Sequence, residues 1–459
     1  MFGGEIIMLR TGTRFAVALT AVALALGPVS TGQAQTARKP AASKAAAGLS
    51  RAASPEALGF DSTRLARLDA YMAGVVDQGR VAGMTTLLAR HGKIVSYKTY
   101  GKMSLATGAP MTEDAIFRIY SMTKPITGVA MMTLFEEGKW RLDDPVTRYV
   151  PEFKTLKVVK SINPDGTMVL EDMKRPPTMR EVMSHTAGFG YGLQDEHPVD
   201  LMYRDKRVLG ANGLKDMIDR TAAIPLVFQP GTSWRYSSSV DIQGYIVEKL
   251  SGQTLGQFME QRIFKPLKMN DTAFFVPADK AARLAALYVG NKETRRIEEA
   301  KTIFDQEVPT YLSPPTMESG GGGLVGTTMD YARFAQMIAN NGQLDGVRIL
   351  SPASVELMGT NMIAKEVLVS SNGSVGTRFN EAVGFGLDFM VVKDPRVAGT
   401  LEGAGSMSWG GAAGTWFWVD PTNDVVFVGM IQRLGGTGGD DLGQMSRTLT
   451  YQALLHPEK

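Results

Sequence analysis

The chain has 459 residues and no cysteine. That absence excludes a disulfide framework, a thiolate metal site and a thiol nucleophile. It also excludes the lipid-anchored N-terminus of lipoproteins. Histidine is nearly as scarce, with only His91, His185, His197 and His456 to supply an imidazole base. No G-x-S-x-G occurs, so the nucleophile elbow of α/β-hydrolases is absent. Asp195-Glu196-His197 lacks the spacing of a zinc helix and reads as a solvated loop. Excess charge is missing too. A net charge of +3 is too small for this length to suggest a nucleic-acid partner. The hydrophobic share of 44% is ordinary and supports a core of normal size.

The N-terminus differs in character from the rest. Arg10 and Arg14 precede the apolar stretch FAVALTAVALALGPVS, and small residues follow at Gly32 and Ala34. This layout predicts a secretory signal peptide over 1–34, with Met8 as an alternative start. The run is too short for a comfortable membrane span. The segment that follows is rich in Ala, Ser and Lys and predicts a flexible linker over 35–55. The expected location is therefore periplasmic or secreted, with no stable membrane insertion after cleavage.

From residue 56 onward the chain reads as one domain. The span from Asp61 to Gln78 places Leu65, Leu68, Met72 and Val75 on one helical face, with Ser62 available as N-cap. MTTLLARHGKIVSYKTYG predicts two strands joined at His91-Gly92-Lys93. AIFRIY is a short strand signal that ends at Ser121, and a helix follows. Residues 141–320 are dominated by helix signals, including one over TMREVMSHTAGFG that stops at Ala187-Gly188 and another that Gly252 interrupts. The C-terminal part returns to strands in VGFGLDFMVV, SMSWGG, GTWFWVDP and DVVFVGMIQ, then closes with a helix. Strands at both ends predict an α/β (α+β) fold. Its antiparallel sheet is built from both termini, with helices around it and a helical subdomain inserted at about 141–320.

Ser121 and Lys124 form the S-x-x-K of SMTK. At a helix start, residues three apart share a face, so Lys124 can bring its amine near the Ser121 hydroxyl. The partial positive charge of the helix N-terminus favours an oxyanion at Ser121 and a neutral amine at Lys124. The strand-to-helix switch aims the Ser121 N–H at a developing oxyanion. Ser and Lys are both common, however, and the pair needs partners to carry chemistry. Histidine offers none of obvious value: His91 sits in a turn, His456 in the tail, and a helix-end His185 reads as structural.

Taken together the motifs resemble a family. SMTK, then Tyr236-Ser237-Ser238, then Trp409-Gly410-Gly411, follow the three-motif order of serine β-lactamases and penicillin-binding proteins. MSHTAGFG, FQPGTSWRYSS, GGGGLVGTTMDYARF and LDDPVTRYVPEF add to the likeness, which spans roughly Leu58 to Leu455. Within that group the chain is most similar to class C β-lactamases and to family VIII carboxylesterases.

The resemblance implies roles residue by residue. Ser121 is then the acylated nucleophile, Lys124 relays its proton, and Tyr236 is general base and later acid. The ordinary tyrosine pKa of about 10 would need lowering, which a nearby ammonium does. Ser238 stands where the family often has Asn. Gly411 belongs to the third motif, and Ala412 supplies the second oxyanion N–H by its backbone. Trp409 is the main departure, since an indole replaces the lysine that helps hold a substrate carboxylate. An aromatic-walled ester site is the expected consequence.

Tyr191 is a further candidate for the cleft lining. Loops 189–215 and 285–315 are expected to shape the pocket, and Gly320–Gly323 to allow close backbone packing. The resulting expectation is a serine hydrolase, foremost a carboxylesterase for small or medium acyl esters, with no metal or cofactor implied. A β-lactamase or D-alanyl-D-alanine carboxypeptidase is the alternative, and a non-catalytic wall-peptide-binding module is the reading from another class. The partner is a small-molecule ester or lactam. The sequence does not address oligomeric state.

Overall fold

The computed structural model describes residues 49–193, 197–291, 293–294, 296–303, 306–370, 379–435 and 442–457. The expected signal peptide and most of the expected linker fall outside them. The described residues belong to one compact unit, Ala45–Lys459.

Strand formation starts at the predicted hairpin. β2 (Gly83–Arg90) and β3 (Lys93–Gly101) pair antiparallel around His91-Gly92. Both turn residues have positive φ, 53° and 70°. That backbone matches the right-handed twist of the strands it joins. β1 (Ser50–Arg51) adds to β3 in parallel. The C-terminal half supplies β5 (Val383–Phe385), β6 (Met390–Val392), β7 (Met407–Gly410), β8 (Trp416–Asp420) and β9 (Val425–Met430). The sheet order is β1-β3-β2-β9-β8-β7-β6-β5, antiparallel except at the β1 edge. The expected sheet from both chain ends is thus present, with its seam where β2 meets β9.

The two sheet faces follow the period-2 alternation of β8. Trp416 and Trp418 pack on one side with α1 (Ser62–Asp77) and the C-terminal helix α5 (Leu442–Tyr451). Phe417 lies on the other, in the main core, where α4 (Thr328–Ala339) covers β8 and β9. Three layers result: helices, sheet, helices. No helix among the described residues is long and apolar enough to cross a membrane.

Three local details set the site. β4 (Phe117–Arg118) pairs with Val325–Gly326, which ties the Ser121 segment to the glycine run before it. A 3₁₀ turn over Tyr120–Met122 then leads into α2 (Thr123–Glu136). α3 (Ser239–Ser251) packs on α2 and ends at Gly252, φ 73°, as expected of a glycine stop. Two boundaries differ from the sequence reading. Asp61, not Ser62, caps α1, accepting from Arg64 N at 2.8 Å. The helix of TMREVMSH covers only Met179–Met183, because His185 turns to φ 60° and its carbonyl accepts from Arg235 N.

Candidate active site

Ser121 stands in the turn between β4 and α2, on a cavity of about 910 Å³. The turn begins with a bend that is costly for a side-chain-bearing residue: Tyr120 has φ 42°. Tertiary contacts hold the turn. Ile119 N donates to Leu324 O at 3.1 Å, Leu324 N to Thr123 Oγ1 at 3.2 Å, and Tyr331 Oη to Met122 O at 2.9 Å. Ser121 Oγ makes no hydrogen bond among the described residues.

Lys124 is fully buried. A buried ammonium requires acceptors, and it finds Tyr191 Oη at 3.0 Å and Gly321 O at 2.7 Å. Its Nζ also lies 4.4 Å from the ring centre of Tyr236 and 4.9 Å from that of Tyr191. The hydrogen bonds of Lys124 therefore go to Tyr191 and the glycine run rather than to Ser121. Burial holds the Tyr191 phenol well above its ordinary pKa, and Asp241 adds to the shift. Tyr191 is thus a neutral phenol whose oxygen accepts a hydrogen bond from Lys124.

Tyr236 is boxed by rings: His185 at 5.0 Å, Tyr191 at 5.4 Å, Trp409 at 5.6 Å and Trp234 at 6.3 Å between centroids. Asp200, buried, holds this wall. Its Oδ1 accepts from Tyr191 N at 2.9 Å and Gly192 N at 2.7 Å, while its Oδ2 pairs with Arg235, next to Tyr236. His185 Nδ1 lies 3.0 Å from Ser237 Oγ. Burial, with Lys124 nearby, drives the His185 pKa well below its ordinary value, so the ring is neutral.

Trp409 is 8% exposed, packs on Tyr236 and Phe385, and lines the cavity. It is a core aromatic and a cleft wall at once. Gly411 has a steric reason: a Cβ there would lie 2.4 Å from Ile119 O. The turn after β7 can therefore press against the Ser121 turn, and Ala412 joins Tyr120 in one apolar cluster. Neither Ser121 N nor Ala412 N donates to another described residue. Two such N–H groups on one cavity suit an oxyanion. Ser238 is placed differently. It is fully buried, its Oγ donates to Tyr203 Oη at 3.4 Å, and it does not line the cavity. In this position it precedes α3, and its N–H donates to Gly190 O at 3.0 Å.

Sequence reasoning missed the support beneath Lys124. Asp241 Oδ1 accepts from Ser319 Oγ at 2.5 Å and Gly321 N at 3.1 Å, holding the residue whose carbonyl accepts from Lys124. Thr127 Oγ1 donates to Gly320 O at 2.8 Å. Burial raises the Asp241 pKa and Lys124 opposes that shift. Asp388 is also buried, receives Gln243 Nε2 at 3.1 Å, and is pushed well above the usual carboxylate range by burial. The four-glycine run was the available signal. Its expected close packing is present, since a Cβ on Gly321 would meet Asp241 Oδ2 at 2.6 Å and Tyr191 Oη at 2.7 Å. Both expected loops reach the cavity, through Leu193 and Leu209 on one side and Ile303 and Tyr311 on the other.

Comparison with known proteins gives a consistent picture. The chain is 35% identical over 364 residues to Protein Rv1367c of Mycobacterium tuberculosis, covering 78% of this chain and 87% of that protein. It is 30% identical over 379 residues to esterase EstB of Burkholderia gladioli, covering 79% and 89%. Among solved structures, EstCE1, a hydrolase with promiscuous acyltransferase activity, superposes with a TM-score of 0.69 at 25% identity, covering 85% of this chain and 99% of that one. The Beta-lactamase family model matches residues 68–452. With this match over most of its length, and with relatives that include named esterases, the chain belongs to the β-lactamase family and is a hydrolase of the serine β-lactamase-like kind.

Proposed function

We propose that the protein is an exported carboxylesterase that works through a Ser121 acyl-enzyme. The observation that carries this reading is the convergence of Ser121, Tyr236, Trp409 and Ala412 on one cavity, with the Lys124 ammonium directly beneath Tyr191 and Tyr236. In the proposed reaction the Lys124–Tyr236 pair starts one proton short, as a Tyr236 phenolate beside the Lys124 ammonium, and Ser121 Oγ attacks the ester carbonyl as its proton passes to Tyr236 Oη. The carbonyl oxygen takes the negative charge and is held by the N–H groups of Ser121 and Ala412. The C–O bond to the alcohol breaks, and the alcohol leaves with the proton from the pair. Water then adds to the acyl-enzyme by the same route in reverse.

Trp409 favours esters over β-lactams and wall peptides. Those carry a carboxylate, and an indole cannot pair with it as an ammonium can. Phenyl acetate and a chromogenic cephalosporin separate the readings. Ester turnover that is lost in Ser121→Ala, with slow or no cephalosporin turnover, is expected. Fast cephalosporin turnover without ester turnover reverses the choice. Export is tested by sequencing the N-terminus of the protein recovered from the periplasmic fraction. A chain that still starts at Met1 or Met8 counts against it.

A further inference from the structure

The cavity is far larger than a short ester needs. An ester of six heavy atoms displaces roughly six waters, about 180 Å³ at ~30 Å³ each. The cavity of about 910 Å³ lies near the upper end of the range that receives drug-sized ligands. Its walls are aromatic: Tyr120, Tyr191, Tyr236, Phe274, Tyr311 and Trp409 all line it. The wall over 309–315 contains Pro309, Pro314 and Pro315, whose fixed φ limits how far it can collapse onto a small ligand. Tyr311 is further fixed by the Arg118 guanidinium 5.5 Å from its ring centre and by Val276 N donating to its carbonyl at 2.7 Å.

Charge on this wall points one way. Among the described lining residues, only Glu307 and Arg447 are formally charged. Arg447 donates from Nε to the buried Glu402 at 2.9 Å and lies over Trp418. Its charge is already matched. Glu307 stands exposed in the lining and would repel an anion. Rings bury well against such walls, whereas a carboxylate would lose water without gaining a cation.

We infer that the site takes esters with a bulky, ring-bearing portion and no carboxylate. This rests on the esterase reading above and names its substrate class. The test compares kcat/KM, each value normalised to the rate of alkaline hydrolysis. Bulk is varied on the alcohol side with phenyl and 2-naphthyl acetate, and on the acyl side with phenyl acetate and phenyl 2-naphthoate. Charge is varied with 6-acetoxy-2-naphthoate and its methyl ester. At least one bulky ester is expected to exceed phenyl acetate by about tenfold, as burial of a further ring implies. The carboxylate is expected to fall about tenfold below its methyl ester.

Two variants read the walls. Ile303→Trp, which fills the cavity, is expected to lower the bulky-to-small ratio by about fivefold. Glu307→Lys is expected to raise the anionic-to-neutral ratio by about threefold. Should Ile303→Trp fail to fold, the wild-type series decides alone. Phenyl acetate as the best substrate, or equal rates for the carboxylate and its methyl ester, overturns the inference while leaving the esterase standing. No turnover of any ester above the Ser121→Ala background overturns the esterase reading itself.

Discussion

Gly321 has no side chain, and the space one would need is already taken by Asp241 and Tyr191. Its carbonyl is also one of the two hydrogen-bond acceptors of Lys124. Gly321→Ala must displace one of these partners, and in the proposed mechanism a shift of under an ångström at Lys124 is costly to proton transfer. We expect kcat to fall about ten- to hundredfold with a smaller change in KM, measured on phenyl acetate. An unchanged kcat would show that the clamp on Lys124 is dispensable. His185 makes a second prediction at this scale, on stability. Its pKa is depressed in the folded protein, so below the ordinary value of about 6.5 the unfolded chain binds a proton that the native one does not. Its contribution is complete above that pH and is lost as the pH falls through it toward the depressed folded value. His185→Gln should therefore flatten the fall in stability between pH 7 and 5 by up to about 1.4 kcal/mol per pH unit, read from urea unfolding. Parallel profiles for the two proteins would count against a neutral buried imidazole.

At the scale of elements, most boundaries follow from local chemistry. Gly252 stops α3 and Thr327 caps α4, as their residue types require. The cap of α1 shows where local reasoning has two answers. Asp61 and Ser62 are both good caps, and the backbone makes the choice: Asp61 is extended at φ −88°, ψ 117°, while Ser62 is already helical. Asp61→Ala should cost about 1 kcal/mol in urea unfolding and Ser62→Ala only a few tenths. The reverse order would place the helix start one residue later. The early end of the Met179–Met183 helix has a different origin. His185 leaves helical geometry because its ring joins Tyr236, Trp234 and Phe385 in the core, and residues distant in sequence impose that.

Over the whole domain, one buried arginine joins an early segment to a late one. Arg90, at the end of β2, donates from Nε to Asn423 O at 3.0 Å and from Nη1 to Leu58 O and His456 O, both at 2.9 Å. It thus fastens the start and the end of the domain to the seam of the sheet. Arg90→Ala strands three carbonyls in a water-poor site, and we expect a loss of about 3 kcal/mol in urea unfolding. A loss below that of a surface substitution would mean that water replaces the guanidinium at little cost.

The sequence by itself determined what repeats or acts over a few residues. It set the hairpin at His91-Gly92, the opposed faces of Trp416 and Phe417, the glycine stop, and the ordered motifs of the family. These depend on φ preferences and side-chain alternation, which adjacent residues settle among themselves. Tertiary structure alone decided what Lys124 touches. Its acceptors stand 67 and 197 residues away, on segments that meet only after the core has formed. The same holds for the cavity wall formed by Ile303, Glu307, Tyr311 and Met317, and for Ser238, whose Oγ donates to Tyr203 Oη. A buried ammonium must find acceptors wherever packing brings them, and packing is a property of the whole chain.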